Sequence, residues 1–155
     1  MSDMASLYDE DFYVWTQLQA RELRRLKSHQ SNLPLDLDHL AEEIRDLGKE
    51  QRNGLRSWCS RIIEHLLLLE HSPAREPRRG WIREIAGFRR EIRRRITPAL
   101  KRDLRGRRQR LYLEAKLAVE QRAALYDEPV PDLPEACPYA LDQLLDDWWP
   151  EGLRA

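Results

Sequence analysis

His39, Glu42 and Glu43 stand at i, i+3 and i+4, a spacing that puts all three on one face of a helix. A histidine and two carboxylates on one face can ligate a metal, as in helical carboxylate bundles. Those bundles also need a Glu-x-x-His pair from each of two helices and further glutamates from the others. The sequence does not supply that second set, so a solvated helix face is the preferred reading and no metal or cofactor is expected. His65 lies in the most apolar stretch, beside Glu64 and among Ile62, Leu66 and Leu69. Buried there, it needs a hydrogen-bond partner. It can act as a ligand or general base with a shifted pKa, or it can be a core histidine satisfied by a carboxylate such as Asp11 or Glu43. The second reading is preferred.

The two cysteines form no C-x-x-C pair. Cys59 shares the apolar side of the His65 segment and reads as a small hydrophobe. Cys137 precedes Pro138 in an expected exposed turn, with no histidine or basic residue near it in sequence to lower its pKa. The opening residues, Met1 to Ser6, are polar and acidic and lack the pattern of a secretory signal. Two free thiols in the cytoplasm are therefore expected. The longest apolar run, Leu66 to Leu69, is far too short to cross a bilayer, and no membrane association is expected. There is no G-x-S-x-G, Walker-type loop, dinucleotide fingerprint or H-E-x-x-H, which leans the reading away from an enzyme.

The elements that position these residues read as helices. Leu, Arg, Glu, Ala and Gln dominate, glycine is scarce at six, and no stretch alternates long enough for a strand. A first helix is expected from Asp9, with Asp9 as its cap and Phe12, Trp15, Leu18, Leu23 and Leu26 as its stripe. Ser31, Asn32 and Pro34 then form a loop. Apolar positions run in one phase from Leu37 through Leu40, Ile44 and Leu47 to Leu69. This predicts one long or kinked helix over 37–71, despite Gly48 and Gly54, ended by Pro73. A third helix is expected from Trp81 after a loop over 72–80. Thr97-Pro98 reads as a cap and first-turn proline opening a fourth, carrying Leu100, Leu104, Leu111, Ala115, Ala118 and Leu125 inward. A linker with Pro129, Pro131 and Pro134 leads to a last short helix through Leu141, Leu144 and Leu145. The expected fold is all-α: an irregular bundle of four main helices plus a short C-terminal one. It is read as a single helical domain over 1–155, with its core at about 8–125 and 126–150 laid on it.

Formal net charge is zero, yet residues 75–110 carry a net +11 while residues 1–50 carry −5 and residues 111–155 carry −7. Of the 27 basic residues 23 are arginine, the side chain suited to bidentate contact with carboxylates or phosphates. One reading is a nucleic-acid surface built from Arg89, Arg90, Arg93, Arg94, Arg102, Arg105, Arg107, Arg108 and Arg110. The preferred one pairs the basic middle with the acidic ends, within one chain or across a dimer. Only Trp81 and Phe88 interleave the basic stretch, which is thin for base stacking. Trp148 and Trp149 can anchor a partner or staple the terminal segment to its own domain.

The ordered pieces Tyr8-x-x-Asp11-Phe12-Tyr13-x-Trp15-Thr16, Leu40-Ala41-Glu42-Glu43-Ile44-x-x-Leu47-Gly48, His65-Leu66-Leu67, Trp81, Thr97-Pro98-x-Leu100, Pro134-Glu135-x-Cys137-Pro138-Tyr139 and Trp149-Pro150 cover nearly the whole chain. In that order they resemble the bacterial and cyanobacterial family labelled domain of unknown function twenty-nine. One departure is visible, Leu68 where the pattern has a lysine. The resemblance implies an all-helical fold and a bacterial source, and it carries no activity or catalytic residue. It makes Asp11, Glu42, Glu43 and His65 the candidates for a shared polar site. The leading expectation is a non-enzymatic interaction or regulatory module that forms a homodimer, because a 35-residue helix with apolar surface in both halves is difficult for one small domain to cover. Nucleic-acid binding through 75–110 and a metal-dependent enzyme using Glu42, Glu43 and His65 are the alternatives.

Overall fold

The computed structural model describes residues 3–29 and 32–153. Met1 and Ser2 of the polar start, and Ser31 of the expected loop, lie outside the described residues. Among those residues all regular structure is helical: α1 (Met4–Glu10), α2 (Phe12–His29), α3 (Leu37–His71), α4 (Arg78–Arg95), α5 (Pro98–Leu125) and α6 (Leu141–Leu145). The chain divides into two compact units, one of residues 1–54 with 97–102, the other of residues 55–96 with 103–155.

In the first unit the expected cap at Asp9 gives way to one at Asp11. Asp9 and Glu10 instead close α1, and Asp11 breaks the helical path at φ −151°. Its carboxylate accepts from the Val14 amide at 3.1 Å and from the Ala99 amide at 3.0 Å. One carboxylate thus caps the start of α2 and satisfies a free amide in the first turn of α5. Thr97 takes another, its hydroxyl accepting from the Leu100 amide at 3.3 Å, as Thr97-Pro98 foretells. Asp36 caps α3 in the same way, accepting from the His39 amide at 3.2 Å. Thr16, Ala20, Leu37 and Ala41 are buried. A Cβ built on Gly48 would stand 2.0 Å from Thr16 Oγ1 and 3.1 Å from Thr16 Cβ. That close approach is why α3 carries a glycine there without breaking. Leu40 and Leu47, expected in the inward stripe, are 41% and 52% exposed, because the small side chains Ala41 and Gly48 take the inward face instead.

The core of the second unit is built on the later part of α3, where Leu55, Cys59, Ile62, Ile63, Leu66 and Leu67 have at most 1% exposure. Leu68 is buried as well, so the departure from the family pattern fills core volume. Ile85 and Ile92 of α4, Leu104 and Tyr112 of α5 and Leu144 of α6 complete it. Full burial of such side chains contributes roughly 1.5–3 kcal/mol each. α4 starts at Arg78, three residues before the expected Trp81, since Pro77 can lead a helix although it cannot continue one. α5 is apolar on two sides. Leu104, Leu111, Tyr112, Ala115 and Val119 are buried while Leu113 and Leu117 stand 50% and 54% exposed. Leu125, expected inward, is 78% exposed at the end of the helix.

Candidate functional site

His65 is 3% exposed in the second unit. Its Nδ1 lies 2.7 Å from the Arg61 carbonyl, which can only accept, so Nδ1 carries a proton and donates. Its Nε2 meets the Glu84 carboxylate of α4. Phe88, one turn further along α4, sets its ring edgewise at 6.0 Å. Glu84 is the partner that burial demands, in place of Asp11 or Glu43. With Nδ1 given to a carbonyl and Nε2 turned onto Glu84, both ring nitrogens are taken up among the described residues, and neither is left to serve as a general base. Glu84 is 50% exposed, and in sequence it has the look of any solvated acid.

The other polar candidates belong to the first unit. Asp11 is 6% exposed and its two oxygens serve helix amides. Glu42 and Glu43 are exposed on α3, 22 residues or more before His65 in the sequence. His39 is tied to Asp36 at 2.5 Å, a hydrogen bond that raises the imidazole pKa and lowers the carboxyl's. Among the described residues no group of three His, Cys, Asp or Glu side chains could hold a metal ion.

The arginines divide into two sets. Arg89 cannot face a ligand, because it is 1% exposed. It donates to the carbonyls of Leu144 (3.0 Å), Gln143 (2.9 Å) and Trp148 (2.8 Å), and Trp149 lies 4.7 Å beneath its guanidinium. Burial brings its pKa down to about 10. Arg93 pairs with Asp147 at 3.2 Å, Arg94 pairs with Glu91 at 3.5 Å, and Arg108 donates to the Tyr139 carbonyl. Arg95 covers Trp58, and Arg122 lies between Trp81 and Tyr126. Stacking of a planar cation on an aromatic face is a use lysine cannot match, and it accounts for part of the arginine bias. Arg90, Arg102, Arg105, Arg107 and Arg110 have no hydrogen bond or ion pair among the described residues.

Residues 126–150 form a strap held by its main chain. Tyr112 donates to the Pro134 carbonyl at 2.5 Å and Gln109 to the Glu135 carbonyl at 2.8 Å, while Gln109 accepts from the Cys137 amide at 2.7 Å. The Tyr139 hydroxyl donates to Glu70. Burial, then that carboxylate, holds the phenol well above its usual pKa. These contacts explain the Pro-Glu-x-Cys-Pro-Tyr piece. Trp148 and Trp149 are half-buried, Trp148 5.9 Å from Tyr139 and Trp149 under Arg89, as a staple requires. Both cysteines are free. Burial pushes the Cys137 thiol up despite Arg108 beside it, which argues against a nucleophile.

Among the described residues no helix is long and apolar enough to cross a membrane. The family model described as Domain of unknown function DUF29 matches residues 7–149. A solved structure, an alpha-helical protein of unknown function from Rhodospirillum rubrum, is similar at 28% identity and a TM-score of 0.75 over 90% of this chain and 89% of that one. No curated protein matches.

Proposed function

The chain belongs to the family described as domain of unknown function DUF29, and from that premise we propose that it is a non-enzymatic interaction module that pairs with a second copy of itself. The observation that carries this reading is the outer face of the first part of α3, where Leu40 and Leu47 stay 41% and 52% exposed one above the other. Apolar side chains repeated along one exposed helix face mark an interaction surface more often than scattered ones do. The cytoplasm of a bacterium is the proposed setting, supported by two free cysteines and by the bacterial source of the similar structure.

Sedimentation velocity tests the reading. The expected result between about 1 and about 100 µM is a shift from the 18.5 kDa chain to twice that mass, as mass action requires. Leu47→Lys should hold the protein at the single-chain mass while leaving its helicity unchanged, because the side chain is half in solvent. A single-chain mass at every concentration would rule the reading out. The unpaired arginines favour a second reading, docking on a polyanion. In a titration with random-sequence duplex it predicts micromolar binding that collapses between about 50 and about 200 mM salt.

A further inference from the structure

Two helix faces of opposite charge stand free in the folded chain. The first is the α3 face just described, which belongs to the first unit. Leu40, Glu43, Leu47 and Glu50 follow one another at steps of three, four and three residues, and all four are exposed. They therefore lie along one side of the helix. Glu43 and Glu50 have no hydrogen bond or ion pair among the described residues. Asp46 between them is already met by Arg45 and Lys49.

The second face is on α4, in the second unit. Arg79, Arg83, Arg90 and Arg94 are spaced four, seven and four residues apart and are all exposed, which makes one continuous stripe. Glu84 and Glu91 lie to one side of it, about 80° and 60° round the helix from Arg94 at roughly 100° per residue. Arg79, Arg83 and Arg90 have no hydrogen bond or ion pair among the described residues, and Arg94 reaches Glu91 only at 3.5 Å. Beside Gly80 there is open space where a side chain would be.

The chain as a whole is electroneutral, yet within its own unit neither face has its charge met in an ion pair among the described residues, apart from Arg94. Resting on the self-pairing reading, we infer that the arginine stripe of α4 docks on the leucine and glutamate face of α3 in a second copy of the chain. The chemistry of the two faces fits. Guanidinium groups bind carboxylates in a fork, and the three methylenes of each arginine stem can lie on Leu40 and Leu47 while the charged head stays at the rim. In a two-fold pair each copy gives one face and receives the other, so the same contact is made twice. Opposite charge on the two faces also speeds encounter and sets the register.

Sedimentation velocity on the full chain and on two charge-reversed variants tests this. One variant carries Glu43→Lys and Glu50→Lys, the other Arg83→Glu and Arg90→Glu. The changed side chains are exposed, and far-UV circular dichroism checks that each variant keeps its helices. The expected wild-type dimer weakens at least about tenfold in Kd between about 50 and about 500 mM salt, as screened charge pairs do. Each variant alone should run as a single chain, since its two faces now repel. Mixed in equal amounts, the two variants should associate again, because every docking contact then joins opposite signs. Should either variant lose its helices, Glu50→Gln and Arg83→Gln replace the pair and should each weaken the dimer. A wild-type dimer indifferent to salt and to reversal would overturn the inference while leaving self-pairing intact. A wild-type chain that stays single would overturn both, and duplex binding lost in the Arg83→Glu, Arg90→Glu variant would assign the stripe to a polyanion instead.

Discussion

A cysteine thiol ordinarily titrates near 9.0, and burial, with a smaller push from Cys137, raises that of Cys59 to about 12 in the fold. Between those values the unfolded chain gives up a proton that the folded chain keeps. Fewer protons bound in the unfolded state means stability that is full below the ordinary thiol value and falls as pH rises towards the folded one. One such group contributes a slope of about 1.4 kcal/mol per pH unit. Urea unfolding of Cys59→Ala at several pH values between about 9 and about 11 should give a shallower decline than wild type by up to that amount. An unchanged slope would place the alkaline sensitivity elsewhere, with the Tyr139 phenol next in line. Burial of Cys59 and His65 is legible from the apolar run around them. The partner of His65 is not, because any acid that one turn of a neighbouring helix brings alongside would serve, and Glu84 carries no local mark. Asp11 is a similar case. Its cap on α2 can be read three residues ahead at Val14, but its second bond goes to Ala99, 88 residues away, and no short-range pattern encodes that.

At the scale of the helix, Gly48 and Gly106 are both glycines inside long helices with opposite reasons to be there. Gly48→Ala puts a methyl group into Thr16, with Gln17 Nε2 2.8 Å away as well. It should destabilise the protein by about 1–3 kcal/mol, the usual scale for an overpacked contact. Around Gly106 a Cβ meets nothing within 4 Å, so Gly106→Ala should stabilise by about 0.5–1 kcal/mol through the lost freedom of the unfolded chain and better helix propensity. Thermal or urea denaturation separates the two by sign. Periodicity locates α3 and the Thr97-Pro98 restart well, because long amphipathic stretches and first-turn prolines leave strong signals. It misses α1, since Asp9 and Glu10 look like the acidic start of a helix and in fact stand at the unfavourable end of one. It also takes Leu40 and Leu47 as core. The inward face there is made by Ala41 and Gly48, whose small side chains leave no mark on a hydrophobic pattern.

For the molecule as a whole, segregated charge at zero net charge has a measurable counterpart in mass action. If folded chains pair and unfolded ones do not, the unfolding temperature should rise with protein concentration. A hundredfold increase is linked to as much as about 2.7 kcal/mol of added stability per dimer, or about 1.4 kcal/mol per chain, which calorimetry at about 2 and about 200 µM would read as a shift of about 3–6 °C for a chain of this size. The same scan at high salt should show a smaller shift, and a temperature independent of concentration would argue for a lone chain. That arginines outnumber lysines is plain in the sequence. How they are shared between stacking on tryptophan, holding carbonyls and standing free is not, because all three uses present the same residue letter. The strap has a consequence of another kind. Arg89, Arg108, Gln109 and Tyr112 recognise it largely through peptide carbonyls and an amide, groups that every residue possesses. Evolution is then free to rewrite the strap's exposed side chains at little cost, while its receivers and its own buried side chains, Leu133, Tyr139, Leu141, Leu144 and Leu145, stay pinned.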